Sequence, residues 1–282
     1  VCPSRLLDTQ ILGALTGLNF PARLDHLCES VLGTAPDKSS SLSDWAQRPL
    51  SATQLAYAAS DVAVLPPLWR ALHAQLLELG PERVDWAHAA GDELIAQSTA
   101  PPDPDRHWQS MRIAHTFDGP TRQLLHDLHT WREGIARDQN RPPHYILSNP
   151  HILDLARRRP RSPGEIAQNR RISDRTIQRF GDRLASIIRN SLKGPVGTPP
   201  VPGPALRRRS TLIGLWAEFV AQQHSIAAPL LLPERLCVAL AQGSPDLLGW
   251  RTAILAADVE QLLSGRISMA LGSNGDIEPH TD

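Results

Sequence analysis

The chain has 282 residues, 41% of them apolar, which is enough for one large domain or two to three smaller ones with true cores and excludes a disordered chain. Its apolar runs are broken by charge or proline before the roughly 18 residues that a bilayer span needs. Three cysteines (Cys2, Cys28 and Cys237), none in a CxxC pair, exclude a disulfide framework, so the expectation is a cytoplasmic protein with no membrane segment. The 29 basic and 29 acidic residues cancel, but unevenly. Residues 1–117 carry 8 Lys/Arg against 13 Asp/Glu, residues 118–210 carry 18 against 8, and residues 211–282 carry 3 against 8. A basic middle flanked by acidic segments, with arginine supplying nearly all of its charge, is the electrostatic footprint of a polyanion binder.

In chain order, the stretches Leu6–Leu15 and Leu27–Leu32 are apolar but too short to assign by periodicity. Ser51-Ala-Thr-Gln54 has capping-box spacing and opens a helix through Leu55, Ala58, Ala59, Val62 and Leu65, which Pro66-Pro67 kinks or restarts. On it Tyr57 and Asp61 are four apart and share a face. Ser98–Asp105 and Gly194–Ala205 are rich in Pro and Gly and read as linkers. Between them Leu124, Leu128, Trp131 and Ile135 mark one face of a helix over 121–138. Further helix starts are expected at Asn149-Pro150, at Ser162-Pro-Gly-Glu165 and at Ser173, giving a bundle of four or five short helices. The last third predicts helices over 212–223, 233–242, 245–255 and 258–263, ending at Gly265, then a loose tail from Gly272. No convincing strand alternation occurs after residue 40.

The run Leu7-Asp-Thr-Gln-Ile11, Asp37-Lys38-Ser39, Asp44-Trp45, Arg48-Pro49-Leu50, Gln54-Leu55 and Tyr57-Ala-Ala-Ser-Asp61 resembles, in order and spacing, the second half of a ribonuclease D exonuclease domain. Trp131-Arg132-Glu133, Ala136-Arg137, Asn140-Arg-Pro142 and Ile172-Ser173 resemble the helicase-and-ribonuclease-D C-terminal (HRDC) domain. Leu232-Pro233, Gly249-Trp250-Arg251 and Leu262-Leu263-x-Gly265 resemble the divergent second copy that ribonuclease D carries. The resemblance implies an α/β RNase H-like exonuclease domain, its C-terminal half only, followed by two all-α HRDC-type bundles. It divides the chain into 1–97 (exonuclease half and connecting helix), 98–117 (linker), 118–193 (HRDC), 194–209 (linker), 210–271 (second HRDC-like domain) and 272–282 (tail).

In that family four acidic groups hold two divalent ions, Mg2+ or Mn2+, that activate a water at the 3′ phosphodiester. The match makes Asp61 a metal ligand and Tyr57 the group that orients the water. The family's first motif, an Asp-x-Glu, and its second, another Asp, both precede the Asp-Thr-Gln segment, and only seven residues precede Asp8 here. Three of the four carboxylates therefore have no counterpart, because Asp8, Asp37 and Asp44 match positions outside the quartet. The chain starts on Val, and the expectation is an N-terminally truncated ribonuclease D, a 3′→5′ exoribonuclease for tRNA precursors or other small structured RNAs, inactive as these residues alone.

The expected RNA contacts are Lys38, Trp45 and Arg48 near the exonuclease site, and Arg132, Arg137, Arg157, Arg158, Arg159, Arg161, Arg170, Arg171, Arg175, Arg179 and Arg183 in the basic bundle. Arg175, Arg179 and Arg183, spaced by four, form one stripe. With two tyrosines and four phenylalanines, backbone binding is expected ahead of base stacking. His126 and His129 lack a second cluster at metal-ligand spacing, and no GxxxxGK[ST], GxSxG or dinucleotide motif occurs. A monomer without a dinucleotide cofactor is expected. The second reading is a non-catalytic nucleic-acid-binding module acting through the Arg-rich bundle, with Tyr57 and Asp61 as relics.

Overall fold

The structure, a computed structural model, describes residues 3–36, 43–100, 117–193, 203–273 and 277–281. Lys38 and most of both linkers lie outside the described residues. The chain divides into two compact units, one made of residues 1–100 and 204–282 and the other of residues 101–203. The described part is mostly helical, with one small antiparallel sheet. None of its helices is long and apolar enough to cross a membrane.

The first unit opens with α1 (Thr9–Leu15), capped by Asp8, whose carboxylate accepts from the Gln10 N–H at 2.7 Å. Helix α2 (Leu24–Leu32) ends at Gly33, whose φ of 70° favours glycine. Helix α3 (Ala52–Ala63) starts at the Ser51/Gln54 capping box. The prolines restart the chain as α4 (Leu65–Leu79), which places them in its first turn, where no intrahelical N–H is needed. Helix α5 (Glu82–Thr99) completes this segment, and its Gly91 passes so close to the Leu6 carbonyl oxygen that a Cβ would collide with it. Among the described residues, 3–100 contain no strand, so the α/β half expected from the sequence is present here as helices alone.

The second unit holds α6 (Gly119–Asp138), α7 (Pro143–Ile146), α8 (Asn149–Arg158), α9 (Pro163–Ala167) and α10 (Asp174–Ser191). Four of the five are capped, Asp118, Ser148, Ser162 and Ser173 accepting from backbone N–H groups three residues on, with the α8 cap at Ser148, one residue before the expected Asn149-Pro150 start; α7 has no side-chain cap. Leu124, Leu125 and Leu128 of α6, Ile152 and Leu155 of α8, Ile166 of α9 and Leu184 and Ile188 of α10 close the core. Asp127 ties α6 to α10 by accepting from the Ser191 hydroxyl at 2.5 Å.

Asp118 caps α6 and also accepts from the Arg159 guanidinium at 3.1 Å. Bonds from Thr121 hold its carboxyl below the usual carboxylate range against the opposing effect of burial, with lesser help from the Arg159 bond and charge. A depressed pKa means the folded bundle prefers the ionised form, so this contribution is complete above the ordinary carboxylate pKa near ~4 and is lost as pH falls through the depressed value. Asp118→Asn, which keeps a capping side chain, is expected to lower the bundle's urea midpoint at neutral pH and to match the unaltered protein in strong acid. A constant difference at both pH values would show that shape rather than charge matters there.

The chain then returns to the first unit as α11 (Pro204–Gln223), α12 (Ala228–Leu231), α13 (Glu234–Ala241), a 3₁₀ segment (Pro245–Arg251) and α14 (Thr252–Leu263). Residues 210–271 were expected as a domain of their own. Instead Ile213, Trp216, Leu231, Leu240 and Leu255 share one continuous core with Leu12, Leu15, Leu27, Leu68, Leu72 and Leu76. Short helices cannot close a core alone, and these bury their apolar faces against α1, α2, α4 and α5. The helix break expected near 256 falls earlier, at Gly249, where φ is 56°. The tail is also corrected: β1 (Ile267–Leu271) pairs antiparallel with β2 (Ile277–Thr281), Met269 opposite Pro279.

Two buried arginines bind the segments of this unit together. Arg83 on α5 donates to the carbonyl oxygens of Leu15 at 2.6 Å and His224 at 2.5 Å. Arg251 pairs with Glu93 of α5 at 2.8 Å, donates to the Leu230 carbonyl, and lies over the Trp250 ring, itself stacked on Trp86.

Candidate active site and nucleic-acid interface

Tyr57 and Asp61 stand one turn apart on α3, both half-buried. The loop before α3 is folded onto that helix by Gln54, which is 5% exposed: its side-chain carbonyl accepts from Ser51 N–H at 2.9 Å and its amide donates to the Asp44 carbonyl at 3.0 Å. This brings the Trp45 ring to 5.8 Å from the Tyr57 ring, tilted by 48°. Arg48 is exposed and folds back to donate to the carbonyls of Trp45 and Gln47 at 2.9 and 2.8 Å. The structure thus gathers Trp45, Arg48, Tyr57 and Asp61 at one place. Beside them α3 leaves Leu55 and Val62 exposed, at 55% and 64%.

The donor set does not fit a pair of divalent cations. Asp44 is exposed and accepts from the Ala46 N–H, and Asp8 is spent capping α1. Among the described residues no group of three or more His, Cys, Asp or Glu side chains is placed to hold a metal. Two dications a few ångström apart need several anionic ligands between them, and Asp61 alone cannot supply that.

In the basic bundle the expected arginines separate into two kinds. Arg132 is 3% exposed: it donates to the Leu147 carbonyl at 3.1 Å, to Asn149 Oδ1 at 2.6 Å and to His129 Nδ1 at 3.0 Å. Burial pulls its pKa down from the ordinary arginine value, and Glu133 beside it opposes that pull. Arg158 is engaged with Asp154 and the Glu165 carbonyl, and Arg159 with Asp118 and Thr121. By contrast Arg137, Arg157, Arg161, Arg170, Arg171, Arg175, Arg179 and Arg183 are exposed. Of these, Arg175, Arg179 and Arg183 run along one face of α10, with the Arg179 guanidinium 5.0 Å from the Phe180 ring. The sequence could not tell the two kinds apart, because only the fold decides which guanidinium meets a carbonyl.

Residues 1–77 match the model of a 3′-5′ exonuclease family and residues 121–188 that of the HRDC domain. The chain is 30% identical over 282 residues to the ribonuclease D of Acidiphilium cryptum, covering 95% of this chain and 70% of that one. The chain belongs to the ribonuclease D family. The ribonuclease D of Gluconacetobacter diazotrophicus is 29% identical over 97% of this chain and 71% of its own. Among solved structures, Escherichia coli ribonuclease D, described as an exoribonuclease involved in structured RNA processing, superposes with a TM-score of 0.69 at 26% identity. That match covers 93% of this chain and 74% of the bacterial enzyme. A protein from Bifidobacterium adolescentis shares the fold, with a TM-score of 0.60 at 23% identity. Within ribonuclease D, residues 1–77 are therefore the exonuclease part and residues 121–188 the HRDC part of this chain.

Proposed function

We propose that this chain serves a ribonuclease D-type 3′→5′ exoribonuclease that trims tRNA precursors or other small structured RNAs, with Tyr57 and Asp61 as its share of the hydrolytic site. On this reading residues 1–97 are the later half of an RNase H-like domain with its connecting helix, and residues 210–271 a divergent HRDC-type bundle joined to its core. The observation that carries the proposal is the cluster of Trp45, Tyr57 and Asp61 on and beside α3, inside the segment that matches the exonuclease family.

A phenol and a carboxylate one turn apart can hold a water between them, the phenol by donating or accepting and the carboxylate by accepting. Trp45 offers an aromatic face beside them for a terminal base, and Arg48 a charge for its phosphate. The residues of this chain supply one of the four carboxylates that metal-dependent hydrolysis by this family calls for. Turnover by these 282 residues alone is therefore not expected.

The test uses end-labelled RNA and manganese or magnesium. Protein isolated from its own cells is expected to release nucleoside 5′-monophosphates, and Asp61→Asn to reduce that release to background. The recombinant 282 residues are expected to bind the RNA without shortening it. Unchanged trimming by Asp61→Asn would remove Asp61 from the site. The exposed stripe of Arg175, Arg179 and Arg183 favours a second reading, a module that binds RNA through its HRDC part without cleaving it. Salt-sensitive binding with no trimming by the cell-derived protein would establish that one.

A further inference from the structure

The bundle carries one surface feature that neither the exonuclease cluster nor the arginine stripe uses. Tyr145, one of two tyrosines in the chain, is 70% exposed, more than any other large apolar side chain among the described residues. A tyrosine that a fold needs is ordinarily buried against apolar neighbours with its hydroxyl bonded. This one instead faces water from the short helix α7.

That helix is rigidly built. Pro142 and Pro143 fix its entry, and the Arg141 N–H donates to the Ala136 carbonyl at 2.9 Å, holding the turn against α6. The Tyr145 N–H donates to the Pro142 carbonyl at 3.0 Å and the Leu147 N–H to the Pro143 carbonyl at 3.2 Å. From beneath, Arg132 grips the carbonyl of Leu147 and the side chain of Asn149. The exposed His144 ring lies 4.6 Å from the Tyr145 ring, tilted by 37°, which widens the aromatic surface. Next to it opens a cleft of about 430 Å³ walled by Arg132, Glu133, His144, Ser148 and Asn149 between Pro143 and Pro150. Arg137, in the last turn of α6, and Arg141, in the loop between α6 and α7, are exposed, and neither forms an ion pair with a described residue.

We propose that Tyr145, backed by His144, is a stacking platform for one unpaired nucleobase of a single-stranded RNA segment, with Arg137 and Arg141 receiving phosphates of the same strand. An aromatic face held on a rigid turn loses little freedom on binding, and exposed guanidinium groups on the preceding helix end and loop suit the phosphates of the same strand. The Ser148 O–H and the Asn149 amide N–H offer the cleft donors for a base edge, while their oxygens accept from the His151 N–H and from Arg132. The proposal rests on the reading that this chain binds RNA, and it adds a base-contacting point to a surface otherwise made for backbone.

The experiment measures binding of a short, fluorescently labelled, single-stranded oligoribonucleotide to the whole 282-residue chain by anisotropy over a salt series. Tyr145→Ala is expected to weaken binding about tenfold with the salt slope unchanged, because stacking is neutral and releases no counterions. Tyr145→Phe is expected to keep full affinity, and a fully paired RNA duplex to bind Tyr145→Ala as it binds the unaltered chain. Joint replacement of Arg175, Arg179 and Arg183 by alanine is expected to do the reverse, flattening the slope. Equal affinity of Tyr145→Ala and the unaltered chain overturns the platform and leaves RNA binding standing. No salt-dependent binding by the unaltered chain overturns the RNA reading and the platform together. Because Tyr145 is exposed, circular dichroism melts of its variants are expected to superpose on that of the unaltered chain.

Discussion

Replacing Arg132 by leucine is expected to destabilise the bundle of α6 to α10 by about 3 kcal/mol while leaving affinity for fully paired RNA unchanged wherever the bundle stays folded. The guanidinium is 3% exposed and is the only described link that joins His129 of α6, the Leu147 carbonyl and the Asn149 side chain. A leucine fills much of the same volume but leaves the buried Leu147 carbonyl without its guanidinium donor, and the cost of a stranded polar group exceeds the worth of the bond itself. Urea unfolding gives the stability and anisotropy the affinity. A loss of affinity without a loss of stability would return Arg132 to the RNA-contacting set, where the Trp-Arg-Glu motif alone had put it.

Arg83→Met is expected to cost the first unit about 4 kcal/mol. Arg83 is 6% exposed, and its donors meet the last carbonyl of α1 and the carbonyl just past the end of α11. Both are negative ends of helix dipoles, so one buried cation closes two helices that lie far apart in sequence. Burial lowers its pKa from the ordinary arginine value and Glu82 partly restores it. Methionine matches the stem but supplies no donor. Trp86, Trp216 and Trp250 all belong to or pack on this core, so the unfolding midpoint can be followed by tryptophan fluorescence. A midpoint unchanged by Arg83→Met would mean that the apolar core and the Arg251–Glu93 pair join the two chain segments without it.

Local signals were legible and long-range ones were not. The Ser51-x-x-Gln54 and Ser162-x-x-Glu165 boxes and the Ser173 cap each start a helix where the sequence places one, because capping is settled within three residues. Pro66-Pro67 restarts the chain as expected. The sheet at the end was missed because Ile267–Leu271 and Ile277–Thr281 are short and lack a strict alternation, and pairing between them is what defines them. At the site, the spacing of Tyr57 and Asp61 was readable, whereas the approach of Trp45 depends on the Gln54 bond across the loop. The difference between Arg132 and Arg179, one locked inside and one on the surface, is a property of neighbours that no local pattern contains.

The discontinuous first unit sets an order for assembly on the ribosome. Ile11, Leu12 and Leu15 belong to the same core as Trp216, Leu240 and Leu255, and the whole basic bundle is synthesised between them. At roughly 5–20 residues per second, the early helices wait on the order of ten seconds or longer for the segment that covers them. The bundle, whose residues are contiguous, completes its own core during that wait. Newly made chain thus passes through a stage in which the inserted part is finished and the part that surrounds it in sequence still shows its apolar side, the stage at which a chaperone has something to hold.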